Sequence, residues 1–325
     1  MQLNRRQTLA LFGASVVAQG FTTLAVAQAV RKLNILVGYP AGGAPDTVAR
    51  AVGEGLRSQG CTALIDNKSG AGGRLAADIL LAEPADGSAV MLVPGGNLTI
   101  YPHIYTKLRY NGLKDFAPLA TACEFAFGMA VGPDVPAKTL ADFIAWARAN
   151  PGKAQFGSPG AGSAMHFIGV QLAAQATVEL RHIPYRGGAP ALNDVMGGTI
   201  PALFTTLSNL VQPHKAGKVR ILAHSAARRL PGLPDVPTFS ESGFPALTIS
   251  EMFLFVAPAR TTVAAQKDLV AMLSAAVAEP GVRSVLEAAE YTPLTLSQSA
   301  IASRLAAEYA NWGALVKSTG YKSDD

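Results

Sequence analysis

From residue 33 onward the chain repeats one local order: a short apolar run, a turn rich in glycine, then a segment of helical periodicity. Residues 33–39 (LNILVGY) read as a strand that runs into PAGGAPD. Val48, Val52 and Leu56 then recur at four-residue spacing, which puts them on one face of a helix over residues 47–57. Strands over 62–65 and 89–93 and a helix over 75–82, stopped by Pro84, complete a first series. A second series begins near Phe125, with strands over 127–131, 154–157, 180–184, 201–205 and 219–224. Helices over 140–149, 163–174 and 189–196 stand between them. A long apolar strand over 248–257 follows, and helices dominate afterwards. The last, over 299–316, carries Ile301, Leu305, Tyr309, Trp312 and Val316 on one stripe. Strand, turn and helix in rotation predict a parallel sheet with crossover helices, hence an α/β fold. Two such series without a low-complexity linker predict two lobes rather than two independent domains.

Composition agrees. Apolar residues make up 49% of the 325 and charged residues 15%, which excludes a disordered chain. The first residues, MQLNRRQTLALFGASVVAQGFTTLAVAQA, have the charged, apolar and small-residue zones of an export signal, with a cut after Ala27 or Ala29. Gln19, Gly20 and a threonine pair interrupt the apolar run, which argues against a permanent membrane span. Arg5 and Arg6 leave the general and the twin-arginine routes both open. No cysteine stands at the cut, which argues against a lipid anchor. Loss of residues 1–29 takes the formal charge from +5 to +3. With no basic run and no aromatic–basic interleaving, a nucleic-acid partner is not expected. In an oxidising compartment Cys61 and Cys123 either pair or remain buried thiols; the sequence leaves both open.

Two turns echo each other. Pro40-Ala41-Gly42-Gly43-Ala44-Pro45-Asp46 enters the first helix, and Gly157-Ser158-Pro159-Gly160-Ala161-Gly162-Ser163 enters the one that begins near His166. A turn of this kind presents unpaired N–H groups and the positive end of a helix. In open α/β sheets ligands bind at the carboxyl ends of strands. One turn per lobe would therefore clamp one small anion. The plainer reading is two tight turns capped by Asp46 and Ser163, each cap contributing about 1 kcal/mol. A helix terminus offers only about 0.3–1 kcal/mol, whereas micromolar binding needs about 8. Several charge-assisted hydrogen bonds and exclusion of water are also required.

Other chemistry is poorly supported. Ser158 lacks the glycine two residues before it that a hydrolase elbow needs. Gly70-Ala71-Gly72-Gly73 lacks the third glycine of a dinucleotide fingerprint. The five histidines are scattered without metal-ligand spacing, so neither a metal nor a cofactor is expected. His166 reads equally as a ligand donor and as a local packing residue.

YPAGGAPDTVAR, DNKSGAGGRLAAD, FGSPGAGSAMH and HIPYRGGAPALNDVMGG, in this order, resemble the Bug-type extracytoplasmic solute receptors, the binding proteins of tripartite tricarboxylate transport systems. The resemblance implies a type II periplasmic-binding-protein fold with a ligand cleft between two lobes. Residues 30–128 and 250–325 would form one lobe and 129–249 the other. It also implies that backbone amides of the two turns grip a ligand carboxylate. Carried over, these are Ala41, Gly42, Gly43 and Asp46, and Ser158, Gly160, Gly162, Ser163 and His166. Tyr185 and Gly187 would lie at the rim, and Asn97 would line the pocket. Where the family often carries an acid, this chain has Thr205 and Thr206, which suit a hydroxyl or neutral group. Phe125 and Phe127 would wall the cleft or fill the core. The implied protein is a periplasmic, non-catalytic monomer that hands a small carboxylate to membrane permease subunits. The alternatives are a receptor that presents its closed form to a sensor kinase, and a secreted hydrolase with Ser158 or His166 as its reacting group.

Overall fold

The structure, a computed structural model, describes residues 31–323. The export-signal reading of residues 1–29 lies outside the described residues. The first half of the fold is built from β1 (Arg31–Val37), α1 (Ala44–Gly55), β2 (Cys61–Asn67), α2 (Arg74–Ala82) and β3 (Ala89–Pro94). Two short helices, α3 (Gly96–Thr99) and α4 (Tyr101–Ile104), lead to the long β4 (Phe116–Val131). Then come α5 (Leu140–Ala149), β5 (Gln155–Ser158), α6 (Ala164–Ala176), β6 (Arg181–Pro184), α7 (Gly188–Met196) and β7 (Ala202–Thr206). Next are α8 (Ser208–Lys215), β8 (Arg220–His224) and β9 (Ser250–Pro258). The chain closes with α9 (Val263–Ala278), α10 (Pro280–Ala288), β10 (Thr292–Pro293) and α11 (Gln298–Thr319).

The strands lie in the order β2-β1-β3-β9-β4-β7-β5-β6, with β8 and β10 also paired to β4. The sheet is mixed, not wholly parallel as the rotation of elements predicted. β1 is parallel to β2 and β3, and β5 to β6 and β7. β9 runs antiparallel to β3 and β4, and β4 antiparallel to β7. The physical reason is the path of the chain. It leaves the first half along β4 and re-enters along β9, between β3 and β4, so the return strand must point the other way. Hydrophobic periodicity reports that a strand exists but not its direction.

β4 is the element shared by both halves. Residues 116–126 pair with β9, and residues 127–131 with β7 and β8. The sequence reading began this strand only at residue 127. Its first part carries Pro118, which sequence patterns count against a strand, but here it sits at a register shift between Pro118 and Ala120. The second crossing is just before β9, and Ser225 ties it to the first. Its Oγ accepts from the Phe127 amide at 2.9 Å and donates to the Ile249 carbonyl at 2.5 Å. Its backbone bonds the same two residues.

A continuous core runs beneath both halves, with Ile35, Val48, Phe127, Phe156, Phe167, Phe204 and Phe255 all removed from solvent. Cys61 and Cys123 are buried free thiols. Burial pushes both thiols up, so neither is poised as a thiolate.

Ser225 is 1% exposed, so its loss strands a buried donor and a buried acceptor. Ser225→Ala is expected to destabilise the protein by about 1–3 kcal/mol in urea melts. An unchanged midpoint would show that the two crossing segments are held by other means.

Candidate ligand-binding site

Both glycine turns lie at carboxyl ends of strands and open into helices, α1 and α6, whose first turns border one enclosed pocket. Gly43, Ala44 and Pro45 line it from one side, and Pro159, Ser163 and Met165 from the other. The first intrahelical bond of α1 is Thr47 N–H to Gly43, and that of α6 is Phe167 N–H to Ser163. The N–H groups of Ala44 and Asp46, and of Ala164 and Met165, therefore precede any intrahelical partner. The pocket sits between two helix N-termini, each the positive end of its macrodipole. Pro45 at the second position of α1 has no N–H, so that terminus offers fewer donors than α6.

The halves meet across the pocket. Tyr105 donates to the Ala161 carbonyl at 3.1 Å, and the Tyr291 and Ser208 hydroxyls are 2.6 Å apart. A Cβ on Gly187 would come 3.0 Å from the Pro40 ring, and Gly187 holds φ at +131°, so this close approach requires glycine. In this closed arrangement the space open to the centre of a water-sized molecule is about 40 Å³. Larger hollows exist, about 420 Å³ beside Trp146 and Lys153 and about 1050 Å³ beside Arg228 and Glu290. Neither is lined by a residue of either turn.

The residues singled out from sequence divide into two groups. Gly43, Ser163, Gly187 and Thr206 are on the pocket wall. The others are placed behind it or beside it. Ala41 and Gly42 are exposed, and the Gly42 N–H is taken up by the Asp46 carboxylate at 2.9 Å. Asp46 is not the N-cap of its helix, which starts three residues earlier than the apolar spacing predicted; Gly43 holds that position. The Asp46 carboxylate also accepts from Arg50 and Asn67. Burial pushes this carboxyl up, but these donors outweigh it and hold it below the usual range. Ser158 is fully buried; its hydroxyl donates to Gly160 and lies 2.7 Å from His182 Nε2. Gly162 donates to His166 Nδ1 at 3.2 Å. The His166 ring stacks on His182 at 4.0 Å and meets Tyr321 edge-on at 4.7 Å. Its place is under the turn, in a packing role. Ser163 does cap α6, accepting from the His166 amide at 3.3 Å. Asn97 donates to Gly72 and accepts from Tyr39, both at 3.0 Å. Tyr185 reaches Asp194 at 2.7 Å, and Thr205 accepts from Asn209 at 3.1 Å.

Of the rest of the wall, the sequence reading offered only Phe125, as a residue of the cleft or of the core. Tyr39, Tyr101, Phe125 and Phe253 supply four aromatic rings. Phe125 and Phe253 stack at 4.1 Å, while Phe127 turns into the core. The Gly70–Gly73 loop, which fails as a dinucleotide motif, has a structural task. Its Gly72 carbonyl accepts from Tyr39, Asn97 and Tyr101. Gly73 packs so closely that a Cβ would come 2.6 Å from Asn97 Nδ2. Tyr39 had one visible signal: it stands two residues past β1, directly before the glycine turn.

The comparisons agree with this geometry. Residues 48–321 match the family described as tripartite tricarboxylate transporter family receptor. The chain is a member of that family of solute-binding receptors. It is 26% identical to protein BugT of Bordetella pertussis (strain Tohama I) over 324 residues, 98% of this chain and 99% of that one. The periplasmic binding protein BugD superposes with a TM-score of 0.86 at 28% identity, over 90% of this chain and 98% of BugD. The R. palustris protein Rpa4515, solved with adipate, gives 0.85 at 27% identity, over 90% and 98%. The fold is thus the α/β, two-lobed fold of the periplasmic binding proteins, with the ligand cleft between the lobes.

The buried imidazoles make acid stability a test of the site's foundation. Burial holds His166 at about 4 and His182, with His166 beside it, at about 3. Unfolded, both titrate near pH 6.5. The unfolded chain therefore binds more protons below pH 6.5, so stability is full above that pH and falls as pH drops toward the folded values. His166→Gln is expected to flatten this limb by roughly 2 kcal/mol between pH 7 and pH 4.5. Urea melts at the two pH values check it; an unchanged slope would mean that His166 is solvated in the folded protein.

Proposed function

We propose that this chain is a periplasmic receptor that captures a small organic acid between its two lobes and delivers it to the permease subunits of a tripartite tricarboxylate transporter. The observation that carries this reading is the pair of helix N-termini, α1 and α6, on opposite walls of one enclosed pocket. A carboxylate there accepts N–H groups that have no other acceptor, and each charge-assisted bond contributes about 1.5–3 kcal/mol. Three or four such bonds, with the two dipoles, reach the roughly 8 kcal/mol of micromolar binding. Adipate in the R. palustris relative is an acid of the same class.

The lobes are assigned as residues 30–128 with 250–325, and 129–249. The passage of β4 from one half-sheet to the other at Ala126 and Phe127 supports the first boundary. The start of β9 at Ser250 supports the second. Ligand-bound closure is a population shift, driven by contacts that exist only when both termini face the same anion. The site comprises the first turns of α1 and α6, with Gly43, Ser163, Gly187 and Thr206 from the sequence reading. The protein binds without catalysis: Ser158 and His182 are close, yet neither lines the pocket.

Ala44→Pro tests the carrying observation. Proline is accepted at the first helical position, and Gly43 before it is extended, at φ −81° and ψ 171°. The change deletes one N–H while sparing the helix. Carboxylate affinity is expected to fall by roughly 10- to 100-fold in calorimetric titration, with little change in melting temperature. Unchanged affinity would remove the α1 terminus from the site.

A further inference from the structure

The last helix and the tail after it touch both halves of the molecule. α11 packs on α3 and α4, which belong to the first half. Its far end leans on α6, the helix of the second half whose first turn borders the pocket. Trp312 meets Phe167 there, with ring centroids 6.1 Å apart. Gly320 then ends α11 at φ +66°, in the left-handed region, and turns the chain. A Cβ on Gly320 would meet nothing within 4 Å, so conformation and not crowding asks for glycine here. Beyond this turn the Tyr321 ring stands edge-on to the His166 ring at 4.7 Å and to the Phe167 ring at 5.6 Å. Ser323 is tied back to the first half, its N–H donating to the Ile104 carbonyl at 3.2 Å. Ile104 fills the space beside Gly162, where any Cβ would collide with it, and Tyr105 donates to the Ala161 carbonyl. The tail and the end of α4 thus grip one feature together, the glycine turn that enters α6 and the first helical turn after it. None of the gripping residues belongs to β4, to β9 or to the segment just before β9.

We propose, on the reading that the two halves are lobes that open and close, that the tail over residues 320–323 is a latch, which seats Tyr321 on the rings of His166 and Phe167 when the lobes close and must unseat it before they part. The crossing segments at Phe127 and Ile249 join the lobes through the chain itself, so they persist through a hinge motion. A ring contact between α6 and a tail anchored on α4 does not, because its partners belong to different lobes. Edge-to-face ring pairs are also short-ranged, with centroids within about 7 Å. A small opening therefore releases the whole contact in one step. His166 serves the latch as a neutral ring, since burial holds its imidazole at about 4. The helix that the latch holds is the one whose first-turn N–H groups border the pocket. Part of the preference for the closed arrangement then comes from the tail and owes nothing to the ligand, so the tail sets how much closed protein is present before an acid arrives.

The test is small-angle X-ray scattering of the purified protein without added ligand, comparing the wild type with Tyr321→Ala and Tyr321→Phe. The wild type is expected to scatter with a radius of gyration near that of the closed structure. Tyr321→Ala is expected to raise the radius as the population moves toward an open form, with its helical circular dichroism unchanged. Tyr321→Phe keeps the ring and is expected to stay with the wild type. A Tyr321→Ala profile that superposes on the wild type overturns the latch, and so does a wild-type profile already too extended for the closed structure. Expansion with loss of the helical signal is unfolding rather than opening and overturns it as well. An equal expansion in Tyr321→Phe overturns the assignment to ring packing. The carboxylate reading stands or falls separately, on the Ala44→Pro titration.

Discussion

A single strand shared by two half-sheets governs this protein. β4 pairs with β9 before Ala126 and with β7 and β8 after it, so neither half can be placed without the other. Ser225 fastens the second crossing to the first with its hydroxyl and both of its backbone groups. The crossing is also the floor of the pocket. Phe125 lines the pocket one step before the crossing, and Phe127 enters the core one step after it. Thr206, opposite Phe127 in register, lines the pocket from β7. A ligand resting on Phe125 and Thr206 touches the very residues about which the halves are joined. On the proposed reading, binding and closure are coupled without any long relay, because the contact surface and the strand joining the halves are the same.

The anion pole is built almost without charged side chains. Asp46 is the one ionised group in the first turn of α1, and it is neutralised locally by Arg50 at 2.9 Å. A guanidinium brought into the pocket would itself have to shed water, a penalty that opposes its attraction to the ligand. Backbone N–H groups at a helix start avoid this, since they are held in place by the fold and lack acceptors beforehand. A chain with 15% charged residues can therefore bind acids.

Much of this architecture was legible in the sequence. The spacing of apolar residues located most helices and strands, and the two glycine turns located the two walls of the pocket. What escaped was of two kinds. The first was direction and continuity: the antiparallel entry of β9, and the early part of β4 around Pro118. The second was the assignment of polar side chains. The side chains of Ser158, His166, Asn97 and Asp46 were all polar groups of a type that could have met a ligand. Each is instead taken by a partner: Gly160 two residues from Ser158, Gly162 four from His166, Gly42 four from Asp46, and Gly72 from another loop for Asn97. Short polar side chains near a turn meet neighbouring backbone groups first. Residue type states what a group can bond, and only the folded path states what reaches it. Most of the aromatic wall was hidden for a related reason, since Tyr39, Tyr101 and Phe253 join Phe125 from separate parts of the chain.

This division of labour has a consequence for selectivity. On the proposed reading the carboxylate is held by backbone, so substitutions of side chains leave that chemistry largely alone. Discrimination then falls to the remaining lining, four aromatic rings, Thr206, Asn209 and the first turn of α7 at Gly187 and Gly188. The tyrosine part of that lining is rigid because both hydroxyls are anchored on one carbonyl, Gly72, and because Gly73 admits no side chain between Asn97 and Tyr39. The loop that looks most like a failed nucleotide motif is thereby the element that anchors both tyrosine hydroxyls behind the pocket wall.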